Sequence, residues 1–353
     1  MAWISLIILT CFLHAAELPK LLTKHAPETL RYLSMDGRYI YVQKRPGVLG
    51  LVSSFRSIDF ISDASSSDFI VTGSRFKRRL IVEVIPQYHQ EFSLKKEHKL
   101  FMVNWGNSQP KEVGAGKAAK LHLNDEWITY YDSYTGTLHI QNLVTQKKYD
   151  IRLSKKPSPF FIPEAEMIND DVIVYSDINE NGFAAMVSFD LKTKKSRIIY
   201  RAPQTGTKIE LCQNEGYLAV GEFPYEGVTR GSKILRINIS AETNLSSFTT
   251  VYDSINQDIG NMICMKDSIF FIKTTNQNKT LTTKTTEAAK LILKTQKVEL
   301  KSEMGNVGQL IEMDDRILIP LRGEFYVVEG TNNLGTDILK SAPSSNEELP
   351  FEM

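Results

Sequence analysis

The sequence predicts an all-β chain, a single β-propeller of seven four-stranded blades, with six or eight blades as the alternatives. Three features predict it. Pro, Gly and Asn/Asp clusters punctuate the chain every few residues, and the runs between them are four to eight residues long and rich in Val, Ile, Tyr and Phe, which is the composition of short strands. Long helical periodicity is absent after the first sixteen residues. A strand–turn–strand unit also recurs. YLSMDGRYIYV (Tyr32–Val42) is its clearest copy, and LHLNDEWITYYD, EMINDDVIVYSD, ELCQNEGYLAVG, ICMKDSIFFIK and IEMDDRILIPLR begin at Leu121, Glu166, Glu210, Ile263 and Ile311.

The first large residues after these turns are Tyr39, Trp127, Val172, Tyr217, Ile269 and Ile317, at spacings of 88, 45, 45, 52 and 48. The first spacing is a double one, and DFIVTGSRFKRRLIVEV (Asp68–Val84) fills the gap with a basic turn. Each unit is followed by two further strands, such as TLHIQNL and KKYDIRL, or AAMVSFDL and SRIIYRA. Four strands at this period make a propeller blade. The second strand of each copy is apolar at nearly every position, as a strand packed on both faces requires. A pair of β-sandwiches is the other all-β solution, but it needs no fixed period.

The chain ends differ from the repeats. MAWISLIILTCFLHAA carries no charged side chain and stops at Ala15-Ala16 before Glu17 and Lys20. It is shorter than the roughly 20 residues a spanning helix needs, so residues 1–16 are expected to be a cleaved secretory signal. An uncleaved anchor or a buried strand would be the alternatives. The propeller is then expected over residues 17–340 and an acidic, disordered tail over 341–353. Leu18–Thr23 or Thr336–Lys340 would close the ring. The expected product is periplasmic or secreted, soluble once cleaved, and monomeric.

Ser34-x-Asp36-Gly37 followed by Arg38-Tyr39-Ile40-Tyr41 resembles the Ser-Pro-Asp-Gly-[Lys/Arg]-x-Ile core of the TolB-like propeller repeat, with Met35 where that family usually has proline. The resemblance implies the propeller fold across the chain. Only about twenty residues separate the expected leader from the first copy, so no counterpart of TolB's N-terminal α/β domain is expected, and TolB's role in an envelope complex does not simply carry over.

The 353 residues are 42% apolar and 24% charged with a net charge of +1, which gives no sign of nucleic-acid binding. No metal, cofactor or catalytic motif of known spacing is present, so none is assigned. Asp177-x-Asn179-x-Asn181-Gly182 resembles a calcium loop, but Ala185 and Ser188 stand where the needed acids would be, which favours a plain hairpin. Cys212 and Cys264 share one column of adjacent copies. Side chains of one column point the same way round the ring, which argues against a bond, although export would permit one. Three Asn-x-Ser/Thr sites, at Asn238, Asn244 and Asn278, matter only in a glycosylating host.

Two faces could bind a partner. The first-to-second strand turns are acidic except for the basic run Arg75, Lys77, Arg78 and Arg79. The second-to-third strand loops carry Tyr88, His89, Tyr134, Phe183 and Tyr225, and exposed loop aromatics are where binding energy concentrates. A non-catalytic scaffold for a protein or cell-envelope polymer is the favoured reading. A lyase or hydrolase acting on a polysaccharide or peptide at the channel mouth is the alternative.

Overall fold

The structure is a computed structural model. It describes residues 30–33, 39–45, 48–53, 57–62, 66–73, 79–86, 98–104, 110–123, 125–154, 161–214, 216–224, 231–239, 248–255, 257–276, 284–300, 310–313, 316–321 and 324–329. The leader, both closing segments and the acidic tail lie outside these residues.

The described residues form antiparallel sheets that follow one another along the chain, in the order of the seven copies. Sheet one comprises β1 (Leu30–Leu33), β2 (Tyr39–Arg45), β3 (Val48–Ser53) and β4 (Ser57–Ser62). Sheet two comprises β5 (Ser66–Gly73), β6 (Arg79–Pro86), β7 (Lys99–Asn104) and β8 (Lys111–Ala115). Sheet three is β9 (Lys117–His122), β10 (Trp127–Asp132), β11 (Thr137–Asn142) and β12 (Lys148–Arg152). Sheet four is β13 (Ala165–Asn169), β14 (Val172–Ile178), β15 (Phe183–Asp190) and β16 (Lys195–Thr205). Sheet five is β17 (Thr207–Asn214), β18 (Tyr217–Pro224), β19 (Ser232–Asn238) and β20 (Thr249–Ser254). Sheet six is β21 (Gln257–Met265), β22 (Ser268–Asn276), β23 (Lys284–Ile292) and β24 (Lys297–Leu300). Sheet seven has three described strands, β25 (Ile311–Met313), β26 (Arg316–Leu321) and β27 (Glu324–Glu329). Within every sheet the strands pair in sequence order, and each sheet is a simple meander. This is the all-β propeller that the repeat implies.

Consecutive sheets touch through their first strands: β1 with β5, β5 with β9, β9 with β13, β13 with β17 and β17 with β21. First strands are therefore innermost and fourth strands form the rim. Burial follows that order. β14 is almost wholly buried, whereas β16 is mostly exposed.

The core is a series of slabs between sheets. A second strand has period-2 side chains and a neighbour on both faces, so alternate residues enter alternate slabs. Ile173 and Tyr175 of β14 join sheet three's Trp127, Tyr131 and Leu138. Val174 joins sheet five's Leu218 and Val220 instead. Tyr217 and Ala219 of β18 turn the other way, toward Ile269 and Phe271 of β22. Phe270 and Ile272 point onward to Ile317 and Ile319 of β26.

One expectation is overturned. Cys212 and Cys264 are disulfide-bonded across sheets five and six, with Cα atoms 5.5 Å apart. The cause is register. The turn of sheet five closes on the pair Asn214–Tyr217, and that of sheet six on Met265–Ser268. Ser268, not Ile269, is thus the equivalent of Tyr217. Cys212 stands two residues before its closing pair and Cys264 only one. A one-residue offset reverses the face of a strand, so the two thiols meet inside a single slab.

Candidate functional site

The loops at the two ends of the sheets differ in kind. First-to-second strand turns are short throughout: 34–38, 74–78, 123–126, 170–171, 215–216, 266–267 and 314–315. Second-to-third strand connections vary, with 46–47, 133–136, 179–182 and 322–323 short and 87–98, 225–231 and 277–283 long.

On the variable face, Tyr134 is held out by its own turn. Asp132 Oδ1 accepts the Tyr134 and Thr135 amides at 2.8 and 3.0 Å, and Oδ2 accepts the Thr135 hydroxyl at 2.6 Å. Partial burial pushes the Asp132 carboxyl up, but the hydrogen bonds from Thr135 and Tyr134 outweigh it and keep it below the usual range. The Tyr134 side chain is left 62% exposed. Phe183 opens β15 at the same end of the next sheet and is half-buried. Its amide donates to Asn179 Oδ1 at 3.0 Å, and Gly182 supplies the positive φ that closes this hairpin. Tyr88, His89 and Tyr225 lie outside the described residues.

The Asp177 segment is that same hairpin. Asp177 is buried and accepts the backbone amides of Ser154 at 3.0 Å and Ile178 at 2.8 Å. Among the described residues no group of His, Cys, Asp or Glu is arranged to hold a metal.

The uniform face is partly consumed by the fold. Arg79 donates its amide to Asp125 Oδ2 at 3.0 Å and its guanidinium to the Asp125 carbonyl. Trp127 Nε1 donates to Asp170 at 2.9 Å, and Lys192 pairs with Asp171 at 2.6 Å. Asp125 and Asp170 are therefore ties from one sheet to the next. Arg75, Lys77 and Arg78 lie outside the described residues.

A polar cluster on the inner strands has no counterpart among the residues singled out from sequence. Lys120 and His122 of β9 meet Glu166 of β13, Lys120 through a direct ion pair and His122 Nδ1 at 3.3 Å. His122 Nε2 lies 2.8 Å from the Thr129 hydroxyl. Glu210 of β17 accepts the Asn261 and Met262 amides of β21 at 2.9 and 2.6 Å. Glu164, just before β13, bonds Ser176 through its backbone.

Burial raises the Glu166 carboxyl, but Lys120 and then His122 more than reverse that and hold it low. Burial likewise lowers Lys120, and Glu166 with Glu164 outweighs it, so the ammonium is kept charged. Burial dominates at His122, which is pushed down and stays neutral at pH 7. Glu164 is pushed up to about 7 by burial, offset in part by Lys120 and reinforced by Glu210. Glu210 is raised by burial against the opposing pull of its amide donors. Two carboxylates two residues apart with opposed shifts can divide acid and base roles. The sequence signal was the charge at Lys120, Glu166 and Glu210 inside first strands that should read apolar.

No family model and no curated protein matches this chain. Solved structures do. It is similar to the tricorn protease (TM-score 0.56, 13% identity, 85% of this chain and 32% of that one). It is also similar to the RRP9 WD40 repeats (TM-score 0.52, 9% identity, 82% and 86%) and to a prolyl endopeptidase (TM-score 0.53, 12% identity, 84% and 42%). The chain thus spans about a third of the tricorn protease's length. At such identities the likeness is one of fold, and the propeller architecture is what it shows.

Proposed function

We propose that this chain is an exported binding propeller that holds a protein or cell-envelope polymer on the face bearing its second-to-third strand loops. The observation that carries the reading is the contrast between the two faces. One face has uniformly short turns, and the other has connections from two residues to twelve. Repeat proteins commonly place such insertions on the binding side. Tyr134, projecting from a turn braced by Asp132, is the aromatic anchor, with Phe183 at the same end of the next sheet; Tyr88, His89 and Tyr225 are added from the sequence of the long connections alone. The Cys212–Cys264 bond supports an oxidising compartment.

The test is affinity capture from envelope extract with the mature protein, alongside Tyr134→Ala and a variant whose residues 87–98 are replaced by a two-residue turn. A partner retained by the wild type and lost by both variants supports the reading. Equal recovery on all three baits, or no reproducible partner, sinks it. Export is tested separately by N-terminal sequencing of the protein from the envelope fraction, which is expected to begin at Glu17.

A second reading, a lyase or hydrolase with its site in the channel, draws on the opposed shifts of Glu164 and Glu166. Turnover of a uronate polysaccharide or peptide that vanishes in Glu164→Gln with the fold intact would favour it. Inactivity of the wild type across both substrate classes would count against it.

A further inference from the structure

We propose that the outer edge of sheet four is a docking strip for a linear phosphodiester polymer, engaged by Lys194, Lys195, Arg197 and Arg201. This surface is on the rim, separate from the loop face, and does not depend on it.

β16 is unlike the other rim strands. It runs for 11 residues, against 4 to 6 for β4, β8, β12, β20 and β24. Each of those strands contains an acid: Asp59, Glu112, Asp150, Asp253 and Glu299 respectively. β16 contains none. Lys194, Lys195, Arg197 and Arg201 are all exposed and form no ion pair among the described residues. The nearby acids are already engaged. Asp171 takes Lys192, Asp190 accepts the Lys192 and Thr193 amides at 2.9 and 2.7 Å, and Glu222 accepts the Tyr200 hydroxyl. A concentrated positive charge is left facing solvent over roughly 20–24 Å of extended chain.

The register selects the partner. Lys195 and Arg197 stand opposite Asp190 and Ser188, on one face of the sheet, and Arg201 stands opposite Ala185, on the other. A ligand running along this edge is gripped from both sides. The phosphorus of a diester lies in the polymer chain and carries its two non-bridging oxygens to either side of it, within reach of arginine forks on both faces, whereas a carboxylate hangs from its polymer as a pendant group on one side. Addition of an acidic peptide as a further strand is disfavoured, because two register shifts interrupt β16 and edge cations oppose strand pairing. A lipid surface is disfavoured because Ile198 is the one exposed large apolar side chain in the strand. Nucleic acid gains no advantage, since Tyr200, the strand's aromatic ring, packs against Phe248 at 5.5 Å and offers no base a stacking platform.

The probe is a fluorescein-labelled oligomer of propanediol phosphodiesters, followed by anisotropy with the full chain at low salt. Wild type is expected to bind, with affinity falling as salt rises. Arg197→Glu/Arg201→Glu should weaken binding at least tenfold and reduce the log–log salt slope by about 1.4, two phosphate contacts fewer. Arg197→Lys/Arg201→Lys keeps the charge but loses the fork, so it should fall between wild type and the glutamate variant in affinity while keeping the wild-type salt slope, and unchanged melting of both variants excludes misfolding. No binding by wild type, or equal binding by the glutamate variant, overturns the proposal. So does tighter binding of oligothymidylate of the same length, poly-glutamate, polygalacturonate or anionic vesicles.

Discussion

Trp127 and Tyr217 occupy the same place in their repeats, and both reach forward to the next sheet, but the seams they cross are built differently. Between sheets three and four the polar ties are ionic or end on a side-chain carboxylate: Lys120 to Glu166, His122 to Glu166, and Trp127 to Asp170. Between sheets five and six one carboxylate tie remains, Glu210 with the Asn261 and Met262 amides, and the others are covalent or end on backbone. Cys212 is bonded to Cys264, Tyr217 donates to the Met265 carbonyl at 2.5 Å, and Asn214 donates to the Cys264 carbonyl at 2.9 Å. The repeat fixes where a tie must be made, since a first and second strand always face the next sheet there. It leaves the chemistry of the tie free. Both seams hold a carboxylate, but only the first holds an ion pair and only the second should respond to redox conditions.

The sharpest way to break that contrast is reduction. Opening the Cys212–Cys264 bond releases a loop of 52 residues in the unfolded chain, worth about 4 kcal/mol in the chain-entropy view. Urea unfolding of wild type with and without dithiothreitol, and of Cys212→Ser/Cys264→Ser, should show a lower midpoint by that order. A midpoint indifferent to reductant would mean the seam rests on its apolar slab alone. Next in size is Glu166→Gln, which strands the Lys120 ammonium beside a neutral amide. Loss of one partner of a buried pair costs several kcal/mol, but Lys120's side chain is 36% exposed, so about 2 kcal/mol is expected. Adding Lys120→Met should recover most of it. No recovery in the double variant would show that His122, rather than Lys120, is the partner that matters.

The seams also show what the sequence could reveal. The repeat was legible because turn chemistry and strand composition are local: Asp36-Gly37, Asp170-Asp171 and Glu215-Gly216 announce reversals without reference to the rest of the chain. The disulfide was not legible because it hangs on a one-residue difference in where two turns close, Asn214–Tyr217 against Met265–Ser268. Matching large side chains aligned Ile269 with Tyr217, and at period 2 that error reverses a face. The inner cluster was hidden for another reason. Lys120, Glu164, Glu166 and Glu210 are spread over some ninety residues, and only the stacking of first strands brings them together. Arg79 looked like one more cation of a hairpin tip, yet its amide and guanidinium are spent on Asp125, 46 residues away. Asp132, by contrast, acts within its own turn, and the exposure of Tyr134 was readable from that.

The ionic region makes a third prediction, with a definite sign. Glu164 is pushed from 4.5 to about 7, by burial first and Glu210 after the opposing pull of Lys120. The folded state therefore holds a proton that the unfolded state releases, and stability contributed by the protonated form declines as pH rises from about 4.5 to 7. Glu164→Gln should leave stability nearly unchanged at pH 4 and raise it at pH 8. The shift corresponds to about 3 kcal/mol in full, and with partial exposure about 1–2 kcal/mol is expected. A parallel pair of stability–pH curves would show that Glu164 titrates normally.

The smallest effect is expected where the ionic seam meets solvent. Asp170 is exposed on its turn, while the Trp127 indole that donates to it is buried. Asp170→Ala removes an acceptor that water can replace, so the cost should be about 1 kcal/mol or less. Tyr217→Phe deletes the matching tie on the other seam, and there the acceptors are the Met265 and Ser268 carbonyls in a buried site. Water does not reach them as easily, and about 1–2 kcal/mol is expected. Urea midpoints at constant m-value give both numbers. If Asp170→Ala proves the costlier change, the turn carboxylate is organising Asn169–Val172 as well as receiving Trp127, and the ionic seam depends on its rim more than on Lys120 and Glu166.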